Sequence, residues 1–208
     1  MDRQGAREEI VNALTHGVGA LLSAAGGTLL IVLAALGGNA YMVVGVSVFV
    51  VSLLLLYVAS TSYHLARPEP LKRRLKVLDH CAIYVLIAGS YTPFVLGVIR
   101  GPWGWSLFGV IWGLAAAGIL FKLGFIDRFP RLSTAIYLAM GWLVVVAAGP
   151  LARHLSVASL LWLLAGGLAY TFGTLFYHSR RIPFAHAVWH LFVIAGSACH
   201  AVAVALQL

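Results

Sequence analysis

The sequence predicts an all-α integral membrane protein folded as a bundle of seven transmembrane helices. Three observations carry this prediction. Of the 208 residues, 62% are hydrophobic and only 10% charged, a composition outside the soluble globular range. Seven apolar stretches reach the roughly 20 residues needed to cross a hydrocarbon core, at about 13–36, 41–66, 79–99, 103–123, 132–150, 156–178 and 184–206. The breaks between them are short and carry turn chemistry or charge.

The elements follow in order. Glu8 and Glu9 precede the first stretch, whose apolar run is longer than a signal-peptide core, so it is read as retained. Gly37-Gly38-Asn39 turns the chain into the second stretch, which ends with Ser60 and His64, and the segment from Arg67-Pro68 to Lys76 reads as a basic loop. Asp79 and His80 open the third stretch, with Asp79 where a helix N-cap belongs. Arg100-Gly101-Pro102 separates the third from the fourth, whose Trp103 and Trp105 suit an interfacial belt. Asp127 to Arg131 precedes the fifth, Arg153-His154 the sixth, and Ser179 to Pro183 the seventh, which opens Phe184-Ala-His-Ala-Val-Trp-His. Almost nothing remains outside the bilayer, so one membrane domain over 1–208 is expected. Cys81 and Cys199 fall towards opposite faces, which argues against a disulfide.

Loop charge orients the chain. Arg3, Arg7, Arg67, Lys72, Arg73, Arg74, Lys76, Lys122, Arg128, Arg131, Arg180 and Arg181 fall on one side, and Arg100 and Arg153 on the other. The amino terminus is therefore expected in the cytoplasm and the carboxyl terminus outside. The net charge of +8 follows from this asymmetry, so a nucleic-acid partner is not expected. The topology is opposite to that of G-protein-coupled receptors. Residues 184–208 contain no lysine, which excludes a retinal Schiff base. No acidic or basic residue lies deep inside a stretch, which counts against a voltage sensor or an ion-coupled transporter.

With that topology, six of the eight histidines gather near the cytoplasmic boundary. His186 and His190 are one turn apart and share a helix face, so they can meet one ion. His64 stands at the same predicted depth. Three neutral imidazoles would leave a fourth position on the ion open, as in a catalytic zinc site. Asp79 is suited to take a proton from water, and Ser60, one turn before His64, to hydrogen-bond water, Asp79 or a carbonyl oxygen. His80 points about 100° away from Asp79 on an ideal helix and is left out. His200 lies too far along its helix for the same ion and, together with Ser197, is expected to hydrogen-bond to another helix. Glu9, Asn12 and His16 share one face of the first helix, either as a brace behind the site or simply as a polar helix start.

Glu9-x2-Asn12-x3-His16, Ser60-x3-His64, Leu78-Asp79-His80 leading to Gly89-Ser90-Tyr91-Thr92-Pro93, and His186-x3-His190-x5-Gly196-Ser197-x2-His200 together resemble the hemolysin III proteins, the bacterial branch of the progestin and adipoQ receptor family. The resemblance covers essentially the whole chain. It implies a multi-pass protein of the bacterial plasma membrane, with a cytoplasmic amino terminus and a zinc ion near that face. In adiponectin receptors of this family three histidines hold zinc, an aspartate holds its water and a serine lies nearby. Carried over, the ligands are His64, His186 and His190, with Asp79 and Ser60 as catalytic partners. The related alkaline ceramidases imply hydrolysis of a lipid amide. The long amino-terminal domain of the eukaryotic receptors has no counterpart here, so hormone reception is not carried over.

Three functions are therefore in view: a zinc-dependent hydrolase of a membrane lipid amide or ester, a regulator of membrane state with a structural metal, and a cytolysin or pore former. The lack of a polar pore-lining stripe argues against the last. Imidazole also suits iron, copper and nickel, and membrane lipids are the expected partners. Substrate and oligomeric state are not encoded in any residue named.

Overall fold

The computed structural model describes residues 3–126, 128–179 and 181–208. Asp127 and Arg180, used in the loop and charge readings, lie outside the described residues. Seven helical spans are long and apolar enough to cross a membrane. They comprise α1 (Arg3–Leu36), α2 (Ala40–Leu65), α3 (Glu69–Thr92) with a π-helical extension (Pro93–Val98), α4 (Pro102–Phe125), α5 (Pro130–Trp142) continued through a 3-10 segment (Leu143–Ala147) into α6 (Ala148–His154), α7 (Val157–Tyr177) and α8 (Ala185–Ala205). The described residues contain no strand, as expected where every backbone polar group must be satisfied within its own segment.

Local chemistry fixes the helix ends. Asn39 Oδ1 accepts from the backbone N–H groups of Tyr41 and Met42 and caps α2, and Ser156 Oγ accepts from Ser159 N to cap α7. Proline stands in the first turn of α3, α4 and α5, where its missing N–H removes no helical bond. Two boundaries differ from the sequence reading. The first helix begins near residue 3 and the third at Glu69, so the charged segments 4–12 and 69–78 are helical extensions of the spans. Asp79 therefore sits well inside α3 and is not an N-cap.

The core lies among α2, α3 and α4, with Phe49, Tyr57, Tyr84 and Ile111 almost fully buried. Close approach is set by small residues. A Cβ on Gly45 would lie 2.7 Å from Pro93 Cα, so α2 meets the π-helical turn backbone to backbone. Lys122, counted above with the loop charges, is buried at the end of α4. Both cysteines are free.

The fifth span is broken in its middle, and the break has two causes. Pro150 lacks an N–H and crowds the carbonyl of Val146. From α3, the Tyr91 hydroxyl enters the helical ladder: it accepts from Val144 N at 2.7 Å and is shared between the carbonyls of Met140, at 2.8 Å, and Gly141, at 2.7 Å. A side chain inserted in this way replaces the direct bond between Val144 N and Met140 O.

Candidate metal centre

Three helices converge at the end of the bundle that carries the amino terminus. α2 brings His64 in its last turn, and α8 brings His186 and His190 in its first two turns. One ring nitrogen from each lies within 4.8 Å of the others. The ring centroids are 5.1 Å apart for His64 and His186, 5.2 Å for His64 and His190, and 4.6 Å for His186 and His190. The sequence-predicted triad is thus brought together as a group that could hold a metal ion.

The bonds behind the rings fix which nitrogen faces inward. His64 Nδ1 meets Glu9 Oε2 at 2.9 Å, and Lys72 Nζ donates to the same oxygen at 3.0 Å. His190 Nδ1 meets Asn12 O at 3.1 Å and Thr15 Oγ1 at 3.0 Å. Both rings are therefore held with Nε2 towards the triad. His64 Nε2 is buried without a hydrogen-bond partner, an expensive state inside a membrane protein that a cation relieves. This is the pattern of histidine ligands steadied through their outer nitrogens, and the residues present fit a metal.

Of the two readings left open for the polar face of α1, the brace is the one found, with a change of detail. Glu9 acts through its carboxylate, whereas Asn12 acts through its backbone carbonyl. His16 stacks on His190 with centroids 3.5 Å apart and an interplanar angle of 12°, and meets the edge of Tyr57 at 5.0 Å. Both His16 ring nitrogens are buried without a partner.

Ser60 and Asp79 are buried and line the same cavity as the three histidines. The Ser60 hydroxyl stands by the Asp79 carboxyl, which can accept from it. His80, set aside on ideal helix geometry, also lines the cavity. Its Nδ1 bonds back to Lys76 O at 2.9 Å and lies 3.6 Å from Asp79 Oδ2, while Nε2 faces the Tyr177 hydroxyl at 3.4 Å. His80 is not in the group that could hold the ion, as the sequence reading has it; its imidazole, turned back along its own helix, comes near the Asp79 carboxyl instead.

From the triad the cavity runs along the bundle axis with a volume of about 860 Å³, within the range of small-molecule sites. Beyond the polar mouth its walls are apolar, with Ile83, Ile87, Phe94, Leu151 and Leu160 among them. Between the fifth and sixth spans the wall is thin. Val145 and Leu164 line the cavity and are still 61% and 47% exposed. Trp142 Nε1 donates to Thr171 Oγ1 at 3.0 Å and His178 Nε2 meets Thr134 Oγ1 at 2.9 Å, tying those spans together nearer the triad.

Fold and site define a seven-helix, multi-pass membrane protein with a braced histidine triad at the mouth of an internal chamber. The chain belongs to the hemolysin III family: the haemolysin-III related family matches residues 4–201. It is 50% identical over 192 residues to the hemolysin-3 homolog of Bacillus subtilis (strain 168), covering 92% of this chain and 90% of that protein. It is 48% identical over 195 residues to hemolysin-3 of Bacillus cereus, covering 94% and 89%. The monocyte to macrophage differentiation factor of Homo sapiens is 32% identical over 164 residues, covering 74% of this chain and 66% of that protein. No solved structure matches.

Proposed function

We propose that this protein is a zinc-dependent hydrolase of a membrane lipid amide or ester, oriented with its amino terminus and histidine triad at the cytoplasmic face. The observation that carries the reading is the placing of the buried Ser60 hydroxyl and the Asp79 carboxyl beside the triad at the polar end of a long apolar chamber. When bound by three neutral imidazoles, zinc supplies Lewis acidity at an open position.

The chain's own residues do the rest. Glu9, Asn12 and Thr15 hold the ligand rings in place. Asp79 takes a proton from the water that attacks the carbonyl carbon, and passes it to the leaving nitrogen or oxygen as that bond to carbon breaks. Ser60 donates a hydrogen bond to the carbonyl oxygen as charge develops on it. His80 steadies the Asp79 carboxyl, the apolar chamber takes the acyl chain, and the thin wall at Val145 and Leu164 suits lateral entry of a lipid. Purified protein incubated with a membrane lipid extract should consume one lipid species in a metal-dependent way, and Asp79→Ala should abolish this. No metal-dependent change in any lipid refutes the reading.

A second reading, a membrane regulator with a structural metal, is favoured by the bonds that tie α1, α2 and α8 together behind the ligands. On this reading metal removal lowers thermal stability while Asp79→Ala leaves cellular function intact. The relatives' name points to lysis; dye release from liposomes holding the purified protein is the result that would favour a pore.

A further inference from the structure

A polar cluster that the hydrolytic reading leaves unused lies against the deep part of the cavity. Tyr57 on α2 donates to Ser197 Oγ on α8 at 2.8 Å, and the Tyr170 hydroxyl on α7 shares that oxygen at 2.9 Å. These three groups satisfy one another and tie the helices together. His200, expected with Ser197 to bond across helices, engages the Leu163 backbone on α7. Its ring also packs edge-on against Tyr170 with centroids 5.5 Å apart, and its Nδ1 is buried without a hydrogen-bond partner. Tyr170 and His200 both line the cavity.

The seat for this histidine is built by both helices. Gly166 and Tyr170 stand one turn apart on α7, and Gly196 and His200 one turn apart on α8. A Cβ on Gly166 would lie 2.6 Å from His200 Nε2, and a Cβ on Gly196 would lie 2.7 Å from the Tyr170 ring. Each glycine therefore clears room for the ring on the other helix. Tying the helices together does not account for Nδ1: the ring already engages the Leu163 backbone on α7, Ser197 supplies a further interhelical bond, and an unpaired ring nitrogen within the membrane is costly. His200 lies ten residues beyond His190, about 15 Å along the helix axis.

We propose that His200 is the receiving group of a second polar subsite, which takes a hydroxyl carried partway along the chain of a lipid whose polar end lies at the histidine triad. The proposal rests on reading the cavity as a lipid chamber. A hydroxyl both donates and accepts, so it satisfies Nδ1 in either tautomer of the ring. Leu56, Leu163 and Val193 also line the cavity and offer apolar cover to the chain on either side. A plain chain leaves the nitrogen unpaired, and a site with an unmet hydrogen bond discriminates against a ligand that cannot make it.

The test uses the full chain in lipid nanodiscs, with stearic acid and its mid-chain hydroxylated derivative as probes and calorimetry as the readout. Wild type should bind the hydroxylated acid about tenfold more tightly, as one added hydrogen bond in a buried site allows. His200→Phe should erase the preference while keeping affinity for stearic acid, and His200→Gln, which retains hydrogen-bonding groups, should restore part of it. Equal affinity of wild type for the two acids overturns the subsite and leaves the chamber reading standing; this is also the result if water alone serves Nδ1. Binding of neither acid overturns both. The wild-type comparison decides the matter even if His200→Phe does not fold.

Discussion

The second and third spans and the fifth and sixth spans enclose one cavity from opposite sides, yet they are packed differently. The most apolar stretches of the second and third spans are 56% and 67% buried, whereas those of the fifth and sixth are 17% each. On the first side His64, Ser60 and Asp79 stand on helices locked by backbone-to-backbone contact, with His64 fixed from behind by Glu9. On the other, a broken helix and a thin wall leave cavity-lining side chains exposed to the outside. The candidate metal-binding groups thus stand on the more buried helices, and the exposed part of the cavity lining stands on others.

The comparison can be broken most severely at the triad. His190→Ala should reduce bound metal in the purified protein from near stoichiometric to near none, read by elemental analysis, because two imidazoles do not make a closed site. Glu9→Gln should keep the fold and weaken metal affinity by about 10- to 100-fold, measured by competition with a chelator, since it removes only the charge behind His64. Retention of full affinity would mean that the ring is oriented by packing alone.

Packing itself gives the next contrast. Gly45→Ala should cost about 1–3 kcal/mol in thermal or denaturant unfolding, because its Cβ meets Pro93 backbone that cannot swing aside. Gly149→Ala, in α6 with nothing within 4 Å of the added Cβ, should be neutral or stabilise by about 1 kcal/mol at most. Equal effects at the two glycines would erase the distinction between the walls.

The smallest effect is electrostatic and lies at the tie between the fifth and sixth spans. Burial first, and Arg131 second, hold the His178 pKa below its ordinary 6.5. A histidine with a lowered folded-state pKa contributes stability above 6.5 that is lost as pH falls through the folded value. Thermal stability should therefore decline slightly on acidification below 6.5, and His178→Gln should flatten that part of the profile. The group is largely exposed to solvent screening, so the shift is small.

The spans could be read directly, because crossing a bilayer imposes a length and a composition that no other fold needs. The triad could be read because His-x3-His on a helix has one geometric meaning and loop charge placed His64 at the same depth. What escaped had causes outside the local pattern. The charged starts of α1 and α3 look like loops, yet they are helix carried past the apolar zone, with Pro68 and Pro70 marking the beginning of α3. His80 stays outside the metal group, as read, but its approach to Asp79 escaped because an ideal helix gives the direction of Cβ and not the reach of a ring. The interhelical bonding read for Ser197 and His200 is found, but its partners, Tyr57 and Tyr170 for Ser197 and the Leu163 backbone for His200, come from other helices that the local pattern does not place.

The Tyr91 hydroxyl in the fifth span bears on the order in which the molecule assembles. A helix alone in hydrocarbon must close its own ladder, so Val144 N turns to Met140 O until another donor and acceptor arrives. That partner is a phenol on the third span, 53 residues away in sequence. The fifth span thus enters the membrane straighter than it ends, and takes its final bend on meeting the third. The bend in the chamber's more exposed wall thus joins a cause within the span, Pro150, to one oxygen atom supplied by the opposite wall.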